Sequence, residues 1–323
     1  ARLRRYRFSW KDRIYTTTLS GGLMPITADS TDVAKVLSDA DAACYVAKES
    51  GGDRTHVYQP GDTTLAERYG EMQWISRIHK AFDDGRFFLF RQRIEPLDRR
   101  SDEPRLTELF VRIQGEDGKM IEPGRFIPAA EKFGLISAID RWVLRTALER
   151  LAAANGSAVN QRFAINVSGQ SLSEAGFLDF VVDQFRTTGV PPKRVHFEIT
   201  ETTAIADLPN AMHFISVLRE MGCRFVLDDF GKGLSSFSYL KNLAVDYLKI
   251  DGEFVRNLTT DPIQAALVGS IHEIGHVMGL LTIAEAVEDK ETLDALRKIG
   301  VDYVQGYYFS KPRLLEPLVP KAS

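Results

Sequence analysis

From residue 86 onward, short apolar runs alternate with amphipathic stretches, and few folds can use that rhythm. The runs are Phe87–Arg91, Leu106–Ile113, Phe163–Val167, Val195–Ile199, Arg224–Leu227, Tyr247–Ile250, Leu281–Ala284 and Tyr303–Val304. Each is too short for a helix and dense enough in apolar residues for a buried strand. Between most of them lie helical patterns at Asp140–Ala153, Phe177–Thr188, Leu208–Met221, Pro262–Met278 and Lys290–Ile299. Eight strand candidates separated by helices over about 250 residues read as an α/β chain folded into a (β/α)8, TIM-like barrel. A doubly wound open sheet is the alternative. The spacing is too regular to favour it, and no Gly-rich phosphate loop follows an early strand.

The chain divides near residue 60. Ahead of that point lie a strand candidate at Ile14–Leu19, a helix from Thr31 to Lys48 and a short strand at Thr55–Tyr58. That is too little chain for a core of its own, so residues 1–60 read as the tail of a larger α+β unit. Residues 61–82 read as a linker and connecting helix, and residues 83–323 as the barrel. A net charge of −3 gives no general attraction to polymeric nucleic acid or acidic membranes. Cys44 and Cys223 cannot make a disulfide framework, which favours a reduced, cytoplasmic setting. No apolar run approaches the ~20 residues of a membrane span.

In such barrels the chemistry sits at the C-terminal strand ends. Here those ends carry Asn166, Glu198, Asp228 with Asp229, Lys249, Glu285 and Gln305, while Glu108 lies within its strand. Taken singly, each is as readily a cap, a salt-bridge partner or a solvated end. Together they describe a pocket of carboxylates that repel one another unless hard divalent cations bind. Asp228 and Asp229, adjacent at the end of the Phe225–Leu227 run and ahead of a Gly-, Lys- and Ser-containing loop, carry the most weight.

Residues from about 70 to 318 resemble an EAL domain, the phosphodiesterase family that opens cyclic di-GMP to linear pGpG. The matching segments run in order: Thr107–Arg112 (TELFVR), Phe126–Glu131, Ile165–Ser168, Phe197–Glu201, Leu227–Gly231 with Ser235 and Ser236, Leu248–Asp251, Ile283–Glu288, and Gln305–Tyr307 with Lys311 and Pro312. Residues 1–60 resemble the C-terminal half of a GGDEF domain through Ser38–Lys48 and Gly51–Tyr58, without that family's signature loop.

The resemblance implies two divalent ions, Mg²⁺ or Mn²⁺, with Ca²⁺ inhibitory. Glu108, Asn166, Glu198 and Asp228 would hold the first, and Asp228, Asp229 and Glu285 the second. Lys249 would stabilise phosphate charge and orient the attacking water, with Glu285 and Glu201 also counted among the catalytic groups. Glu201 would anchor the Phe230–Ser236 loop, the expected place for regulation. Gln92, Arg112 and Gln305 are the expected substrate contacts. A homodimer through the barrel is implied as well, with no membrane contact by residues 1–323. Departures from the family pattern are Leu109 and Phe110 in the signature, Arg93 in place of proline and Ala286 in place of glycine. If that glycine takes a positive φ, Ala286 is strained. No ligand position is lost, which favours an active enzyme over a catalytically silent cyclic di-GMP receptor or a scaffold using the barrel surface.

Overall fold

The computed structural model describes residues 7–10, 13–16, 18–27, 32–49, 51–58, 63–98, 106–153, 161–232 and 239–316. Two compact units divide the chain, Ala1–Lys80 and Ala81–Ser323. In the first, β1 (Arg7–Trp10) pairs antiparallel with β2 (Arg13–Thr16). β3 (Gly21–Leu23) pairs parallel with β4 (Thr55–Val57), and α1 (Val33–Glu49) is the crossover that a parallel pair requires. α1 lies so close to β3 that a Cβ on Gly22 would sit 2.0 Å from the Ala40 carbonyl oxygen. Only glycine fits there. α2 (Thr63–Asp83) runs across the division between the units.

The second unit begins with β5 (Phe87–Pro96), β6 (Leu106–Gln114), β7 (Met120–Ile121), α3 (Ile127–Lys132) and α4 (Ile136–Ala152). Next come β8 (Arg162–Asn166), α5 (Gly169–Ser173), α6 (Phe177–Thr188), β9 (Val195–Thr200), α7 (Glu201–Ala206) and α8 (Leu208–Glu220). β10 (Arg224–Phe230), β11 (Tyr247–Ile250), α9 (Gly252–Arg256), α10 (Pro262–Val277), β12 (Leu281–Ala284), α11 (Lys290–Ile299), β13 (Tyr303–Val304) and β14 (Arg313–Leu314) complete it. The ring closes in the order β5, β6, β8, β9, β10, β11, β12, β13 and back to β5. This is an eight-stranded, TIM-like barrel.

One expectation is corrected. Strands separated by helices imply an all-parallel ring, yet β5 runs antiparallel to both β6 and β13. The reason is chain length. From Pro96 to Leu106 there is too little chain for a parallel crossover, which needs a dozen or more residues, so β5 and β6 pair antiparallel instead.

Side chains inside the barrel form layers, as strand alternation requires. Ile94, Leu106, Ala164, Val226, Tyr247, Ile283 and Tyr303 pack as one buried cluster, the apolar floor beneath the mouth. His196 is fully buried beside Tyr247 and has no hydrogen-bond partner on either ring nitrogen. Burial and the Arg224 and Arg162 charges push its pKa down to about 3, so it is neutral. Outside the ring, Phe197 and Phe225 meet Phe214 edge-on, and Phe177 stacks on Phe214. That aromatic contact fixes α6 and α8 against β9 and β10.

Candidate active site

One residue further along each floor strand lies on the outside of the barrel, and two further lies the mouth. Counting two on from Leu106, Ala164, His196, Val226, Tyr247, Ile283 and Tyr303 gives Glu108, Asn166, Glu198, Asp228, Lys249, Glu285 and Gln305. Counting two back from Ile94 on the reversed β5 gives Gln92. Every position of this layer is therefore polar, directly above a layer that is almost wholly apolar. Strands in a closed barrel tilt, so residues at one height are offset in register. Glu108, for example, pairs with Ala164 and not with Asn166.

Lys249 is the centre of the layer and is 1% exposed. Its Nζ lies 2.8 Å from Glu285 Oε1, 3.0 Å from Glu108 Oε2, 3.2 Å from Glu198 Oε2 and 3.5 Å from Asp228 Oδ2. The Asn166 amide donates to Glu108 Oε1 at 3.0 Å, and the Gln305 amide donates to Glu108 Oε2 at 2.7 Å. The same Gln305 nitrogen donates to Gln92 Oε1 at 3.1 Å, and Gln92 donates to the Ser310 carbonyl at 2.8 Å. Gln92 and Gln305 thus reach the site, but their amides are engaged in orienting Glu108. Arg112 lies about 13 Å further along β6 at 3.3 Å per residue. There it pairs with Glu122 at 3.1 Å and covers the Phe90 ring, with Nε buried and unpartnered. It is not brought to the carboxylates.

Asp228 and Asp229 are neighbours, and a regular strand would send them to opposite faces. β10 avoids this with a bulge: Leu227 pairs with Leu248, whereas Phe230, three residues on, pairs with Ile250, only two on. Asp229 takes φ +54° at that point. Both carboxylates consequently serve the mouth. One oxygen each from Glu108, Glu198 and Asp228 lies within 4.8 Å of the others, and the same holds for Asp228, Asp229 and Glu285. The two groups share Asp228.

One ammonium does not neutralise this many carboxylates. Burial and then the Glu108 charge hold the Glu198 carboxyl well above the usual range. Burial pushes Asp228 up to about 7, opposed by Lys249 and reinforced by Glu285 and Glu108. Burial also works against Glu108, but the Lys249 charge and the Gln305 hydrogen bond outweigh it and leave that carboxyl low. For Lys249, burial alone would lower the pKa, and the surrounding carboxylates raise it well above normal. Glu198 Oε1 is buried with no partner at all. An unpaired, buried carboxylate oxygen in an all-oxygen cluster suits hard divalent cations. The residues fit such ions.

Glu201 stands apart from the cluster. Its Oε2 accepts the Gly231 N–H at 3.0 Å and its Oε1 accepts the Tyr239 hydroxyl at 2.7 Å. It therefore ties together Gly231 and Tyr239, on either side of residues 233–238. The sequence expectation for the Phe230–Ser236 loop falls partly there, and residues 233–236 lie outside the described residues. Sequence reasoning missed Lys232, whose Nζ sits 2.9 Å from Asp229 Oδ1 and 2.7 Å from Asp251 Oδ2. The available signal was a cation three residues after an aspartate, too common to single out. Tyr239 and Ser310 gave no signal.

The chain is similar to known proteins. Residues 76–312 match the EAL domain family. The chain is 38% identical over 301 residues to the cyclic di-GMP phosphodiesterase PdeB of Shewanella oneidensis, covering 93% of this chain and 35% of that protein. It is 35% identical over 241 residues to the cyclic di-GMP phosphodiesterase PdeF of Escherichia coli, covering 75% of this chain and 32% of that one. The chain thus spans about a third of the length of these two curated relatives. Among solved structures, the PaMucR phosphodiesterase in complex with c-di-GMP superposes with a TM-score of 0.70 at 30% identity, over 75% of this chain and 97% of that one. With the family match spanning most of the barrel and its mouth, the chain belongs to the EAL domain family.

Proposed function

We propose that residues 81–323 hydrolyse cyclic di-GMP to linear pGpG with two divalent cations, Mg²⁺ or Mn²⁺. The observation that carries this reading is the mouth of the barrel, where two carboxylate groups share Asp228 around the buried Lys249. The names of PdeB and PdeF, and the ligand in the PaMucR structure, supply the substrate. Glu108, Asn166, Glu198 and Asp228 hold one ion, and Asp228, Asp229 and Glu285 the other. Bound there, the ions supply a water activated at neutral pH and Lewis-acid neutralisation of the phosphodiester.

The protein's own groups do the rest. Asn166 and Gln305 fix the Glu108 carboxylate from both sides, and Gln92 holds Gln305 in turn. Lys249 places a fixed positive charge beside the scissile phosphate and donates to the attacking oxygen. Glu201 sets the strand end that carries Asp229. Arg112, paired with Glu122 and stacked over Phe90, could meet only the far part of the substrate, through its guanidinium. Ca²⁺ takes more ligands in looser geometry and would compete without supporting turnover.

One observation favours a second reading. Asp229 is held by Lys232, so a chain that binds cyclic di-GMP without cleaving it is the alternative. Incubation with cyclic di-GMP in Mg²⁺, Mn²⁺, Ca²⁺ or EDTA, with products separated by chromatography, decides between them. Linear pGpG in Mg²⁺ or Mn²⁺ alone supports the phosphodiesterase, and binding without product in every metal supports the receptor. The reading of residues 1–60 as the tail of a GGDEF domain rests on the likeness of Ser38–Lys48 and Gly51–Tyr58 alone. Among the described residues no helix is long and apolar enough to cross a membrane.

A further inference from the structure

We propose that His272, His276 and Asp302 form a second metal site, for a borderline transition-metal dication such as Zn²⁺, at the end of the barrel opposite the carboxylate mouth. α10 places the two histidines one turn apart, with ring centroids 4.0 Å from each other. Asp302, immediately before β13, brings Oδ2 to 2.9 Å from His276 Nε2. One ligand atom from each of the three residues lies within 4.8 Å of the others. Ligands at ~2.0–2.1 Å around a tetrahedral ion sit about 3.3 Å apart, a spacing that falls between the 2.9 Å His276–Asp302 contact and the 4.8 Å limit of the cluster.

The surroundings are those of a metal site. His272 Nδ1 faces the Thr282 hydroxyl at 2.8 Å, which donates to Asp302 Oδ2 at 3.0 Å, and the Thr282 N–H donates to the same oxygen at 2.7 Å. Such contacts fix the orientation of ligating rings and carboxylates. Burial, and then the facing His276, keep the His272 pKa below the usual imidazole range. Gly300, at φ +97°, leaves room beside His272 Nε2, where a Cβ would stand 3.3 Å away. His276 is 44% exposed and gives an ion a way in. Two imidazoles and one carboxylate suit Zn²⁺, Co²⁺ or Ni²⁺, whereas the all-oxygen mouth suits Mg²⁺ or Mn²⁺. The competing account is a metal-free hydrogen-bond network that merely anchors the start of β13 to β12.

The test uses the intact chain, stripped with EDTA and kept in excess Mg²⁺ to occupy the mouth. Co²⁺ is titrated and followed by visible absorption, then displaced with Zn²⁺. One equivalent of Co²⁺ giving the intense bands of a four-coordinate nitrogen-containing site is expected, with binding at least about tenfold weaker in His272→Ala and His276→Ala. His276→Gln can still hydrogen-bond Asp302 but offers no imidazole, so it separates lost ligation from lost folding. Absence of binding up to about 100 µM, or undiminished binding in His276→Gln and His272→Ala alike, overturns the proposal.

Discussion

Ala286 occupies φ +54°, where a Cβ is strained, and its own Cβ forbids one on Gly252 by standing 2.7 Å from where it would be. The conditional reading of this position therefore resolves in favour of strain. Ala286→Gly is expected to stabilise the fold by about 1 kcal/mol, raising Tm by roughly 2–4 °C in thermal unfolding. Glu198 presents the opposite balance. Its charged form is disfavoured by burial and by Glu108, so Glu198→Gln should raise the metal-free Tm while abolishing turnover. A fall in both would mean that the Lys249 contact, and not the repulsion, dominates. Glu108→Ala is expected to abolish turnover as well, and Lys249→Ala to lower kcat more than it raises KM. Near-normal activity in Glu108→Ala would sink the two-ion assignment.

Strand positions were legible because apolar runs mark them: Tyr247–Ile250, Leu281–Ala284 and Tyr303–Val304 are strands with those very limits. The reversal of β5 was also written in the sequence, in the few residues between Pro96 and Leu106, but alternation alone conceals it. The bulge in β10 was not legible. An Asp-Asp pair has the same spelling whether its carboxylates diverge or converge, and only the pairing of Leu227 and Phe230 with β11 decides. Nor does Gln305 announce whether its amide faces a ligand or Glu108. The bulged end of β10 leads directly to Lys232, which holds Asp229 from the side. Lys232→Met should therefore tighten Mn²⁺ binding, measured by electron paramagnetic resonance, and lower the metal concentration for half-maximal turnover. Unchanged Mn²⁺ binding would show that the pair plays no part in metal capture.

The two compact units have their own internal packing, and every carboxylate of the mouth belongs to the second. A chain starting at Thr63 is expected to fold and to keep metal-dependent turnover within about threefold of the whole, since a domain with its own core folds alone. Collapse of turnover with an unchanged circular dichroism spectrum would assign residues 1–60 a part in setting the mouth. The reversed strand also shapes how the barrel is made. β5 precedes every other strand of the barrel and finds β6 next in the chain, but its other edge must wait for β13 and β14, roughly two hundred residues later. An unpaired strand edge invites sticking to other chains, and charged side chains discourage it. Arg91, Arg93 and Glu95 alternate along β5. Charges so placed disfavour pairing of the open edge with other chains until β13 and β14 arrive.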